Sequence, residues 1–165
     1  MPPRPIKTQM RSLRDFKGGE LRWTQSKLMH RHYELKSGDD LFATLTWQKT
    51  VGSLAIGKFA EGEYSFKRGG FLKPYVSIRK LPFDTDYAKL EMGFGYNGAY
   101  QSIEARSYTF HKLSFWKSQW GFTDTHGKLL CTIAEKFSGL KASAEVRLEV
   151  DSRTVPNFCL LLILG

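Results

Sequence analysis

From Leu21 onward the chain breaks into short runs of alternating apolar and polar residues, each bounded by Gly, Pro, Asn or clustered charge. LFATLTW (41–47) is the clearest: Leu41, Ala43, Leu45 and Trp47 share one face, and Phe42, Thr44 and Thr46 the other. The same period of two runs through LMHRHYEL (28–35), SLAIGKF (53–59), GEYSFKR (62–68), PYVSIRKL (74–81) and YAKLEMGFG (87–95). It continues in YQSIEARSYTF (100–110), KLSFWK (112–117), WGFTD (120–124), LLCTIAEKF (129–137) and ASAEVRLEV (142–150). Roughly ten to twelve strands in one domain predict an all-β barrel or sandwich. Two hairpins echo one another: YELKSGDDLFATL (33–45) and FTDTHGKLLCTIA (122–134) place Gly38 and Gly127 where a tight loop needs positive φ.

The last ten residues, PNFCLLLILG, break the alternation. An apolar run from Phe158 to Leu164 is too short to cross a hydrocarbon core, which needs about 20 residues. It also lacks the polar face of an interfacial helix. A segment apolar on every side calls for burial on every side. A helix threaded through a closed barrel meets that need, with Pro156 near its first turn.

The 165 residues suit one domain, and 41% hydrophobic with 25% charged residues is ordinary for a globular chain. Residues 1–20, with three prolines, the pair Gly18-Gly19 and no periodicity, predict a flexible basic leader; residues 21–165 form the domain. The opening residues do not read as a secretory signal, since charged residues stand where its apolar stretch belongs, and none is expected. Cys131 and Cys159 lie in apolar runs, which predicts buried free thiols and a reducing, cytoplasmic setting.

Net charge is +9, concentrated in two segments. Residues 1–36 carry nine Lys/Arg against Asp15, Glu20 and Glu34, and residues 58–80 carry six against Glu61 and Glu63. Such a field selects anionic partners, nucleic acid or phospholipid head groups. Within FKRGGFLKPYVSIRK (66–80), Lys67, Arg68, Lys73, Arg79 and Lys80 interleave with Phe66, Phe71 and Tyr75. This mixture suits a membrane surface, where cations meet phosphates and aromatics enter the interface, and it suits base stacking equally. Arg4, Lys7, Arg11, Arg14 and Lys17 of the leader add long-range attraction.

Other motifs dissolve in context. GFGYNG (93–98) matches a dinucleotide-binding glycine pattern, but strands flank it, and Asn97-Gly98 reads as a type I′ hairpin turn. His30 and His32 fall on one strand face without further ligands at metal-binding spacing. Asp84, Asp86 and Glu91 lack the remaining ligands and glycine of a calcium loop. No G-x-S-x-G elbow occurs, and neither cysteine has a histidine or cation next to it. The expectation is a non-catalytic domain without cofactor or metal.

The hairpin YELKSGDDLFATL, the segment WGFTDTHGKLLCTIAEKF and the strand ASAEVRLEV followed by NFCLLLILG together resemble the tubby-like fold of tubby proteins, phospholipid scramblases and the LURP-one-related family. The resemblance spans residues 21–165 and implies a closed, twelve-stranded antiparallel barrel around a hydrophobic C-terminal helix. It also implies an intracellular protein that binds anionic phospholipid, peripheral at a membrane. The phosphoinositide-contacting residues of tubby proteins do not map onto this sequence, and no calcium-triggered lipid movement is implied. Two alternatives stand beside it: a nucleic-acid-binding barrel using the same cations, and a calycin-like barrel holding an apolar small molecule in an open lumen.

Overall fold

A computed structural model describes residues 9–26, 30–48, 52–114, 116–138, 141–149 and 152–165. Twelve strands form one closed antiparallel barrel, as the alternation and the resemblance led us to expect. They are β1 (Leu21–Gln25), β2 (His32–Ser37), β3 (Asp40–Trp47), β4 (Leu54–Phe59), β5 (Gly62–Gly69) and β6 (Tyr75–Lys80). There follow β7 (Thr85–Met92), β8 (Gly98–Ser102), β9 (Ser107–Ser114), β10 (Gln119–Thr123), β11 (Leu129–Ser138) and β12 (Lys141–Leu148). Each strand pairs with its sequence neighbour, and β1 closes the ring on β12 through Leu21 opposite Val146 and Trp23 opposite Ala144. Closure leaves no sheet edge to template a foreign strand.

Period two now acquires its cause. Trp23, Leu35, Ala43, Ala55, Phe66, Ile78, Leu90, Tyr100, Phe110, Phe122, Ile133 and Val146 all face inward and are buried. Aromatic rings tile much of the inner wall: Phe59 stacks on Tyr64 at 5.3 Å, Tyr64 meets Tyr87 edge-on at 5.1 Å, and Phe110 stacks on Trp120 at 5.3 Å.

The C-terminal run is the helix α1 (Cys159–Leu164), enclosed by the barrel with Phe158 and Cys159–Leu162 all buried. Asn157 starts it with φ of 55°, and its Nδ2 donates to the Tyr87 hydroxyl at 2.7 Å. Trp23 Nε1 donates to the Leu162 carbonyl at 3.2 Å. That carbonyl lies in the last turn, where no intrahelical partner exists, so the wall supplies one. Among the described residues no helix is long and apolar enough to cross a membrane.

Four local readings change. Positive φ falls at Gly38 and Gly127 as expected, but not at Asn97-Gly98, where Asn97 is extended at φ −97° and Gly95 takes φ of 75°. Gly98 is needed for space instead: a Cβ there would lie 2.9 Å from Met92 Sδ and 3.1 Å from Leu90. Second, YQSIEARSYTF is two strands, because Ile103–Arg106 turn the chain, with Ala105 at φ of 58° and the Arg106 amide donating to Ser102 Oγ at 3.3 Å. Third, β9 runs from Ser107 to Ser114, so KLSFWK is the end of that strand and a turn rather than a strand of its own. Fourth, part of the expected leader is ordered. Leu13 and Phe16 are buried, Phe16 meets Phe42 edge-on at 5.7 Å, and Arg11 donates to Asp40 at 2.6 Å. Two apolar side chains at the end of an open barrel bury more by capping it than by staying in water. Arg4, Lys7, Leu28 and Met29 lie outside the described residues.

Candidate functional site

An up-and-down barrel sorts its loops by parity. The turns after β1, β3, β5, β7, β9 and β11 lie at one end, the upper rim; those after the even-numbered strands lie at the other. Residues 10–16 and the 3₁₀ turn Ser152–Thr154 pack together at the lower rim, where Arg153 donates to the Phe16 carbonyl. The C-terminal end of α1 points up, towards Trp47, Arg68, Met92 and Trp120.

The basic stretch is the β5–β6 hairpin, and folding divides its five cations. Lys67, Arg68 and Lys73 are exposed at the upper rim around the loop Gly70–Pro74. Gly70 has φ of 76°, and a Cβ there would collide with the Lys73 carbonyl, so this tight loop requires glycine. At its tip Phe71 is 98% and Leu72 89% exposed. Arg79 and Lys80 lie at the other end of β6. Arg79 is bracketed by Asp84 at 2.8 Å and Asp86 at 3.0 Å, which also gives those carboxylates a role other than calcium ligation. The remaining aromatics divide too: Phe66 is core, and the Tyr75 ring lies under the Lys89 ammonium at 4.6 Å.

Ring closure adds residues the sequence alone does not connect. Phe94, in the β7–β8 loop, and Trp116, in the β9–β10 loop, are fully exposed on the two upper loops that follow the one bearing Phe71 and Leu72, while Phe83 and Ile103 are exposed on lower loops. Lys117, Lys136 and Lys141 are exposed at the same end, and Arg31 lies over the Trp47 ring at 3.9 Å. Acidic groups near this rim are Glu91, held by Lys89 at 2.6 Å, and Glu135. At the lower rim acids and cations are mixed, and several acids are engaged: Asp40 with Arg11, Glu61 with Ser12, Glu63 with Lys58, Glu104 with Arg106. Asp124 accepts the amides of Lys128 and His126, each at 2.9 Å, which hold its carboxyl below the usual range. Arg11, Arg14 and Lys17 of the leader belong to this lower end, opposite the exposed cations of the β5–β6 hairpin. The signal for Trp116 was present in SFWKSQ, an aromatic–lysine pair among turn-forming polar residues.

His32 Nδ1 meets Thr46 Oγ1 at 2.6 Å, and its other nitrogen lies 3.6 Å from Glu34. Among the described residues no group of three or more His, Cys, Asp or Glu side chains gathers in a metal-binding arrangement. Cys131 and Cys159 are both free and buried. Burial pushes the Cys131 thiol up to about 12 and raises Cys159 as well. A thiol held protonated in this way is a packing group rather than a nucleophile.

At the upper end of the helix lies a mainly apolar space of about 400 Å³, lined by Ile163, Leu164 and Gly165 below and by Arg68 and Glu135 among the wall residues. Comparison of the chain with known protein families, with curated proteins and with solved structures finds no match.

Proposed function

We propose that this protein is a non-catalytic, tubby-like barrel that docks peripherally, upper rim first, on anionic phospholipid membranes in the cytoplasm. The carrying observation is that Phe71, Leu72, Phe94 and Trp116 stand exposed on three successive upper loops, at the same end as the exposed Lys67, Arg68, Lys73 and Lys117. Large apolar side chains gathered on neighbouring loops lose hydration free energy only when another phase covers them. The interfacial layer of a bilayer takes aromatics, and its phosphates take the cations. Leu72 at the tip favours lipid over nucleic acid, since an aliphatic side chain offers a base no stacking surface. The enclosed C-terminal helix and the twelve-strand ring agree with the architecture that the tubby-like resemblance implies.

Co-sedimentation with vesicles tests the reading. Binding is expected with vesicles containing phosphatidylserine and not with pure phosphatidylcholine. Each cation near the surface contributes about 1 kcal/mol. Replacing Lys67, Arg68 and Lys73 together by Gln therefore weakens binding about a hundredfold. Lys80→Gln, at the other end, leaves it unchanged. Equal pelleting with neutral and anionic vesicles sinks the proposal, and tighter retention on single-stranded RNA than on vesicles would move the site to nucleic acid.

A further inference from the structure

Beside the β1–β2 connection, at the upper end, lies a surface pocket of about 270 Å³ lined by Ser26, His30, Arg31, His32, Thr46 and Trp47. Among the described residues no carboxylate lines it. Its frame is tied on two sides. Just past the pairing of His32 with Thr46, the Trp47 amide donates to the Arg31 carbonyl at 2.9 Å. Towards β1, the Ser26 amide donates to the His32 carbonyl at 3.1 Å, and Gln25 Nε2 to the His30 carbonyl at 3.1 Å. The backbone of residues 30–32 is therefore fixed to both neighbouring strands before any ligand arrives, which lowers the cost of binding one.

Arg31 is the centre of the site. Its Cζ lies 3.9 Å from the centre of the Trp47 ring, and among the described residues its guanidinium has no hydrogen-bond or ion-pair partner. Contact with the ring positions the guanidinium without using its N–H groups, and that planar fork matches two oxygens of one phosphate. His30 is exposed and brings a ring N–H; Ser26 brings a hydroxyl whose bond to the His32 carbonyl is 3.5 Å long. His32 is occupied instead, with Thr46 Oγ1 at 2.6 Å from Nδ1 and Glu34 at 3.6 Å from the other nitrogen. Glu34 is in turn engaged by Lys36 at 2.8 Å.

We infer that this pocket binds the terminal phosphate of a phosphate monoester, with Arg31 as its anchor and His30 and Ser26 as further donors lining the same space. A monoester presents three free oxygens and close to two negative charges, where a diester has two oxygens and one charge. The volume admits a phosphate with the few atoms attached to it and is below the range of drug-sized ligands. The monoester is either a lipid with a bare phosphate head or a small soluble phosphate. The site does not rest on the docking proposal. Its loop is the β1–β2 connection, whereas the exposed apolar residues of the rim stand on the β5–β6, β7–β8 and β9–β10 loops.

Two measurements on the intact chain test the inference and separate the sources. Titration calorimetry with glycerol 3-phosphate probes the soluble one. Pelleting with phosphatidic acid vesicles, against phosphatidylglycerol vesicles of equal surface charge, probes the lipid. Saturable one-to-one binding in the first or a preference for phosphatidic acid in the second is expected, and the measurement that responds names the source. Arg31→Gln lowers that affinity about tenfold, and Arg31→Lys nearly as much, because an ammonium keeps the charge and loses the fork. His30→Ala, at an exposed position, lowers it about threefold and is the safeguard should the Arg31 variants disturb Trp47. Circular dichroism confirms that each variant retains the barrel. No response in either measurement overturns the site, and so does a response that neither Arg31→Gln nor His30→Ala weakens. Full affinity in Arg31→Lys, or dimethyl phosphate bound as tightly as glycerol 3-phosphate, overturns the assignment of a monoester held by the fork. Binding of glycerol 3-phosphate by a protein that ignores every vesicle keeps the pocket and rejects membrane docking. Pelleting with phosphatidylserine vesicles while both measurements stay silent does the reverse.

Discussion

At Gly57 the wall of the barrel and its internal helix meet with no room for a side chain. A Cβ there would stand 2.7 Å from the Phe66 ring and 2.8 Å from Ile163 Cδ1. Gly57→Val is therefore expected to cost about 1–3 kcal/mol through overpacking, read as a lower urea midpoint at unchanged slope. The two cysteines give a second test at this scale. With its thiol held up to about 12, Cys131 is not alkylated by iodoacetamide at pH 8 in the native protein, and both cysteines react once the chain is unfolded. Their burial was legible because each sits on the apolar side of its segment. The ordering of Leu13 and Phe16 was not legible. Two apolar residues without a period cannot announce that they cap a barrel whose end is assembled from other strands.

At the scale of the element, α1 is only about 9 Å long, shorter than any helix that holds in water by itself. Its conformation is imposed by enclosure, and the dependence is mutual. Phe158 and Cys159–Leu162 are all buried, and each large apolar side chain contributes about 1.5–3 kcal/mol when fully enclosed. Their sum is comparable to the whole net stability of a domain, about 5–15 kcal/mol. Deleting residues 158–164 should therefore abolish the cooperative unfolding transition, whereas removal of an external tether would leave it in place. The helix was legible because it is apolar all round, and the strands because one face of each is apolar. The hairpin tips were not. Phe71, Phe94 and Trp116 follow no period, and only ring closure shows that their loops share an end while Arg79 and Lys80 do not.

At the scale of the molecule, the inner wall carries acidic protons that the unfolded chain would release sooner. Burial raises Tyr64 to about 12 and also raises Tyr87, Tyr100 and both thiols. For a group whose folded pKa lies above its unfolded value, the stabilisation is complete below the unfolded pKa and is lost as pH rises through the folded one. Here that window opens near about pH 8.5 for the thiols and about 10 for the phenols. Thermal melts are expected to hold their midpoint up to about pH 8 and to fall steadily towards pH 12. The charges on the two rims are exposed, so added salt should shift those melts far less than it shifts vesicle binding.

The seam between β1 and β12 also sets an order of assembly in time. Every other pairing joins neighbours in sequence and forms as soon as a hairpin has been made, but the ring locks only when the twelfth strand reaches the first. During synthesis, which runs from the N-terminus, β1 waits with one edge unpaired while ten further strands are added beside it. The helix that fills the centre follows later still. Until then the growing sheet exposes its aromatic inner face. A newborn chain is thus most prone to association in the interval before closure, and its yield in a cell depends on what shields that face during the wait.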